Sequence, residues 1–316
     1  MAFALTTLVL GVAQCAHAQV LRLGILASTS TQLPQYGVLR KALSGLGYQE
    51  GRNLVVVERA ADGKPERLDE LAAELVRSNV DVILAPGPEA VLQAAHRATR
   101  TIPIVMVAID YDPVQSGYIA SLGRPGGNIT GVFLRQLELS TKRLEIVREA
   151  LPQAREVTVL WDRYSADQWQ GLESFASSMG LRLTSAELSG PRYDYEQQIQ
   201  RAQRSGAQAL LVLMSPLFYR DRVQLGAIAA KHRMPTMFGL REWAESGGLM
   251  SYGADISDMF VRAGTYIDKI FKGAQPSSLP VEQPDKLEFV INLKVAKALG
   301  IAIQRSVLLR ADRVIE

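Results

Sequence analysis

Ser121-Leu122-Gly123-Arg124-Pro125-Gly126-Gly127-Asn128-Ile129-Thr130-Gly131-Val132 divides this chain. Pro125 fixes its own φ, Gly126 and Gly127 admit positive φ, and Asn128 tolerates the left-handed region, so regular structure stops there. Upstream, apolar runs suited to buried parallel strands (Val20–Ala27, Asn53–Arg59, Val80–Ala85, Ile102–Ala108) alternate with helical stretches at Pro34–Leu46, Pro65–Arg77 and Glu89–Thr99. Downstream the alternation restarts. Helices are expected at Glu138–Leu151, Gln168–Met179, Tyr195–Arg204 and Tyr219–His232, and strands at Val157–Trp161, Leu181–Leu188, Ala209–Leu213 and Thr236–Phe238. Strands separated by helices of this length are the βαβ signature. A turn between two such units predicts two α/β lobes with a cleft between them.

The halves also align as a weak repeat. Arg77-Ser78-Asn79-Val80-Asp81-Val82-Ile83-Leu84 stands against Arg204-Ser205-Gly206-Ala207-Gln208-Ala209-Leu210-Leu211, and Ile102-Pro103-Ile104 against Met234-Pro235-Thr236. Generic α/β periodicity produces similar matches, but the shared order of elements favours two lobes built alike. In such sheets a ligand sits beyond the carboxyl ends of the strands. The loops Pro86-Gly87-Pro88-Glu89 and Met214-Ser215-Pro216-Leu217 are therefore expected to approach one ligand from opposite walls.

The 316 residues, 47% hydrophobic and 21% charged, leave room for two domains. A net charge of +3 with interspersed signs argues against nucleic acid and against direct membrane binding. Residues 1–18 read as a signal peptide. They hold no charged residue, carry the apolar run Phe3–Ala13, and end in the small-x-small pattern Ala16-His17-Ala18. The positive start of such a leader is missing, and Gln14 spoils a lipoprotein box. Cys15 is the chain's one cysteine, so a mature chain from Gln19 has neither disulfides nor a cysteine nucleophile.

Catalytic signatures are absent. His96 and His232 lie inside expected helices, and the chain contains no H-E-x-x-H, G-x-S-x-G, S-x-x-K or P-loop motif. Gly45-Leu46-Gly47 falls at a helix end and reads as a C-cap. No enzyme activity, cofactor or metal is expected.

Candidate ligand-binding residues gather instead at strand ends. Ser28, Thr29 and Ser30 follow the first strand, Gly87, Pro88 and Glu89 the third, and Asp110 and Tyr111 the fourth. Beyond the turn, Trp161, Tyr164, Ser165, Met214, Ser215, Phe238, Gly239 and Arg241 occupy corresponding places. Aromatic faces there stack on a planar ligand, while hydroxyls and helix-start N–H groups hold a carboxylate. Trp161 and Trp243 serve equally well as plugs of their own lobe's core. Arg241 either grips a carboxylate or pairs with Glu242 or Glu245.

Several longer motifs carry a family resemblance: Leu43-x-x-Leu46-Gly47-Tyr48-x-Glu50-Gly51-x-Asn53, Asp112-Pro113-Val114, the Ser121–Gly131 turn, Gly248-Leu249-Met250-Ser251-Tyr252-Gly253, and Leu279-Pro280-Val281-Glu282-Gln283-Pro284 leading into Glu288–Gly300. Together they resemble the ABC transporter substrate-binding proteins of the type I periplasmic binding protein superfamily, in the branch whose members bind tryptophan or tyrosine. The resemblance implies two Rossmann-like lobes with parallel sheets joined by three hinge crossovers. Lobe one would comprise 19–131 plus 252–278, and lobe two 132–251 plus 279–316. It also implies a monomeric periplasmic receptor that closes around a small-molecule ligand and docks on an ABC permease with its ATPase, touching the membrane only through the permease. A sensing domain feeding a chemoreceptor or kinase is the alternative. Amino-acid-binding members often carry an acidic residue after the strand ending here at Phe238. Gly239 in that place, with Arg241 nearby, favours an aromatic or other carboxylate over a zwitterion.

Overall fold

A computed structural model describes residues 20–109, 111–134, 136–190, 192–284 and 286–316. The expected signal peptide and Asp110 lie outside the described residues. The first half contains β1 (Leu21–Ala27), α1 (Pro34–Gly45), β2 (Leu54–Ala60), α2 (Leu68–Arg77), β3 (Val82–Gly87), α3 (Glu89–Ala98), β4 (Ile104–Ile109) and β5 (Ile129–Leu134). Its strands form a wholly parallel sheet in the order β2-β1-β3-β4-β5. β1 shows why it is buried on both faces. Leu23, Ile25 and Ala27 enter one core and Leu26 the other, as a period of two dictates.

The second half runs α4 (Gln136–Ala150), β6 (Glu156–Asp162), α5 (Ala166–Ala176), β7 (Arg182–Leu188), α6 (Tyr195–Arg204), β8 (Ala209–Val212), α7 (Pro216–Arg220), α8 (Arg222–Lys231), β9 (Thr236–Phe238), α9 (Arg241–Glu245) and β10 (Met250–Ala254). The chain then returns to lobe one as α10 (Ile256–Phe271), which packs along α1 and against β4 and β5. It ends in lobe two with β11 (Leu287–Asn292), α11 (Leu293–Leu299), α12 (Arg305–Leu308) and β12 (Arg313–Ile315). The second sheet has the order β12-β11-β10-β9-β8-β6-β7, and β11 runs antiparallel to β10. Within it, β7-β6-β8-β9-β10 repeats the order of the first sheet. Each lobe therefore has a switch point between its first and third strands, where a ligand crevice opens.

The sheets exchange the chain a few residues later than the sequence places the boundaries. β5 stays in the first sheet to Leu134, β10 stays in the second to Ala254, and Glu282 still bridges to Val132 beside β5. The turn residue Gly131 has φ +135, and a Cβ there would overlap the Met106 carbonyl oxygen. Its role is close passage of β5 beside β4. The expected helix Tyr219–His232 is in fact two. Pro216 starts α7 early, and the chain breaks at Asp221, which accepts a hydrogen bond from the Tyr195 hydroxyl at 2.8 Å.

Candidate functional site

A cavity of about 70 Å³ lies between the lobes, at both switch points. Lobe one contributes Ser28 and Thr29 beyond β1, Pro86-Gly87-Pro88 at the end of β3, and Ile109 on β4. Leu33, Gln35 and Tyr36 from the start of α1 meet Ile256 and Phe260 from the start of α10 to form its apolar side. Tyr36 and Phe260 pack edge to face with ring centroids 5.3 Å apart. Lobe two closes it with Met214, Ser215, Pro216, Tyr219 and Leu240. Met214, Tyr219 and Leu240 belong to the same buried apolar cluster as Tyr36, Ile256 and Phe260, so one apolar cluster joins the two lobes beside the cavity.

The lobe-one wall is rich in unused hydrogen-bonding capacity. The side chains of Ser28 and Thr29, 5% and 3% exposed, make no hydrogen bond among the described residues. Gly87 has φ +104, and a Cβ there would lie 3.7 Å from Ser28 Oγ. Only glycine turns the chain this tightly into α3 without strain. Pro88 precedes α3 without a side-chain cap, leaving the N–H groups of Glu89 and Ala90 without acceptors among the described residues.

The lobe-two wall is tied to a fully buried carboxylate. Ser215 Oγ donates to Asp162 Oδ2 at 2.5 Å and accepts from the Leu217 N–H at 3.2 Å, capping α7. Asp162 also accepts from the Tyr193 hydroxyl at 3.1 Å, the Tyr164 N–H at 2.9 Å and Ser165 Oγ at 3.2 Å. Burial pushes the Asp162 carboxyl above its ordinary range, against the opposing pull of these donors. The same burial, reinforced by Asp162, pushes the Tyr193 hydroxyl up. With the Ser215 proton committed to Asp162, the hydroxyl offers the cavity an acceptor. Gln168 holds the backbone of Met214 from both sides, donating to its carbonyl at 2.9 Å and accepting from its N–H at 3.1 Å.

Of the residues expected at the site, Ser28, Thr29, Gly87, Pro88, Met214 and Ser215 come together on this cavity. The other described ones do not line it. Ser30 accepts from the Gln32 N–H within its own loop, and Glu89 accepts from the Tyr118 hydroxyl at 3.0 Å. Tyr111 sits in the outer core of lobe one against Tyr118. Trp161 points to the opposite face of β6 from Asp162, stacks on Trp169, and donates to Ser185 Oγ at 2.8 Å. Tyr164 and Ser165 act behind the wall, on Asp162. Phe238 and Trp243 fill the lobe-two core, with ring centroids 4.9 Å apart.

Gly239 and Arg241 lie away from the cavity, and Arg241 takes the ion-pairing alternative that the sequence offered. Gly239 lies behind Met214, where a Cβ would strike the Met214 sulfur. Arg241 is drawn into a knot of ion pairs with Asp255 at 3.2 Å, Glu288 at 3.4 Å and Glu242 at 3.6 Å, beside the crossovers. Neither residue reaches the cavity, so neither favours a simple carboxylate over a zwitterion. Sequence reasoning passed over Gln35, Tyr36, Tyr219, Ile256, Phe260 and the role of Asp162. Asp162 stands at the end of an apolar strand, which was a usable signal; the helix residues gave none.

A second, polar cavity of about 280 Å³ opens at the rim, with Asp62, Lys64 and Glu66 facing Arg163, Tyr193 and Arg220. Arg163 donates across it to the Gly63 carbonyl, linking the lobes directly. Among the described residues, no group of acidic, histidine or cysteine side chains could hold a metal, and no helix is long and apolar enough to cross a membrane.

Residues 25–315 match the family model described as ABC transporter substrate binding protein. The chain belongs to that family. Members bind a substrate and do not transform it. This family member is 27% identical over 267 residues to a tyrosine-binding protein of Clostridioides difficile, covering 83% of this chain and 75% of the relative. It is also similar to a conserved domain protein from Vibrio cholerae (TM-score 0.82, 25% identity, covering 94% of this chain and 100% of that one). An ABC domain from Streptococcus pneumoniae in complex with L-Trp shares the fold (TM-score 0.80, 24% identity, 93% and 99% covered). The two-lobed architecture is that of the type I periplasmic binding proteins.

Proposed function

We propose that this substrate-binding protein is the extracytoplasmic receptor of an ABC importer and closes its lobes around an α-amino acid with an aromatic side chain. One observation carries the reading. A single cavity is lined at once by unpartnered donors from lobe one and by a serine acceptor from lobe two. A carboxylate fits the Ser28 and Thr29 hydroxyls and the bare start of α3, where helix N–H groups favour negative charge. An ammonium group fits Ser215, with the Asp162 carboxylate immediately behind it. The side chain then extends between Tyr36, Phe260, Ile256 and Tyr219. The tyrosine-binding relative supports this assignment of class.

Because a ligand in this place touches both walls, it stabilises the closed form through contacts the open form lacks. The crossovers after Leu134, Ala254 and Glu282 serve as the hinges, and the closed face is the surface offered to a permease and its ATPase. The leader at residues 1–18 directs secretion, and the mature protein acts as a monomer in the periplasm. A thermal-shift screen of amino acids and of aromatic acids lacking the amino group tests the class, since a ligand bound only by the folded state raises the melting temperature. Aromatic amino acids are expected to raise it. A response confined to the acids without an amino group contradicts the reading.

A further inference from the structure

Gln35 is a polar side chain placed in the apolar part of the cavity. It stands in the first turn of α1, beside Tyr36, and is 9% exposed. It lines the cavity together with Leu33, Tyr36, Ile256 and Phe260. Its Oε1 is buried and makes no hydrogen bond among the described residues. A buried amide left unpaired is costly, and such groups in folded proteins find partners or serve a function. The side chain plays no part in capping α1, whose N-terminus has no side-chain cap and begins at Pro34. No described residue bonds its Oε1.

We propose that Gln35 is a specificity-determining residue that pairs with a polar group on the ligand's ring, so that the preferred ligand is an aromatic amino acid bearing a ring hydroxyl. This rests on the amino-acid reading above and deepens it. The ends of the cavity divide the work: Ser28, Thr29 and Ser215 take the amino-acid head, while Gln35 lies among the apolar residues that would receive the side chain. An amide offers one acceptor and two donors, and its terminal torsion rotates easily. A phenolic hydroxyl donates to Oε1 and accepts from Nε2, and so answers the amide in either orientation. A bare phenyl ring answers neither, and would bury the amide without a partner. Sites built to hydrogen-bond a substrate hydroxyl reject the analogue that lacks it far more strongly than a methylene's worth of apolar contact would allow.

The test is isothermal titration of the full mature protein and of Gln35→Met with L-tyrosine and L-phenylalanine. Methionine keeps the length and apolar volume of the side chain and removes its hydrogen bonding. The wild type is expected to bind L-tyrosine at least tenfold more tightly than L-phenylalanine. Gln35→Met is expected to bring the two affinities within about threefold, with L-phenylalanine binding no weaker than to wild type. A general loss of fold quality would weaken both ligands alike and leave their ratio unchanged, and that result overturns the proposal while leaving the amino-acid reading intact. Wild-type protein that binds neither ligand overturns the reading of ligand class, and the Gln35 proposal with it.

Discussion

Two loops occupy matching places in the two lobes, Pro86-Gly87-Pro88 after β3 and Met214-Ser215-Pro216 after β8, and they treat the same local problem in opposite ways. The first leads into α3 without a side-chain cap, beside the hydroxyls of Ser28 and Thr29 that no described residue engages. The second is satisfied within its own lobe. Ser215 caps α7 and donates to Asp162, and Gln168 pins Met214. Buried donors without partners cost free energy that a ligand can return, whereas a satisfied network rigidifies the surface it supports. On the proposed function, lobe one is the wall that captures ligand, and lobe two the preformed wall that closes on it.

The sharpest break between the two walls is expected from substitutions that leave the other wall intact. Ser28→Ala combined with Thr29→Val removes two donors that hold no partner among the described residues. Ligand affinity by titration should fall about 100-fold, near 2.7 kcal/mol, with the melting temperature of the free protein almost unchanged. Ser215→Ala should show the reverse emphasis. It strips Asp162 of its shortest hydrogen bond and α7 of its cap, so denaturant unfolding should show a loss of about 1–3 kcal/mol even without ligand. If the Ser28 and Thr29 substitutions destabilise the fold as much as Ser215→Ala does, the contrast between capturing and closing walls disappears.

The carboxylate behind the second wall adds a pH dependence. Burial raises the folded-state pKa of Asp162 above its unfolded value, so the stability it contributes is fully present below about pH 4 and is lost as pH rises through the folded value. Asp162→Asn does not titrate. The melting temperature of the variant minus that of wild type should therefore become more positive between pH 4 and pH 7, and a flat difference would mean that Asp162 is not held desolvated. Trp161→Ala should have the smallest effect on binding, within about twofold, because the indole stacks on Trp169 away from the cavity. Its cost should appear as a lowered melting temperature of lobe two.

The paired lobes could be read from the sequence because local rules specify them. Strands buried on both faces read as continuous apolar runs, and Pro125-Gly126-Gly127-Asn128 interrupts them just before β5. Strand ends likewise located the loops that meet at the cavity. Which side chain of a strand end faces inward was not legible, since a shift of one residue reverses the faces. That parity sends Asp162 toward Ser215 and Trp161 toward Trp169, and the larger, more conspicuous residue is the one turned away. Arg241 shows a second limit. Its neighbours in the ion-pair knot include Asp255 and Glu288, which only the crossovers bring near. Gln35 and Phe260 show a third. They lie in α1 and α10, far apart in sequence, and meet because the chain re-enters lobe one to lay α10 along α1.

Lobe one's hold on the ligand's carboxylate is tested most directly by titrating the wild-type protein with L-tyrosine and with tyramine, which lacks only that group. Loss of the contacts to Ser28, Thr29 and the start of α3 should weaken tyramine at least about 100-fold relative to L-tyrosine. Equal affinity for the two would contradict the account.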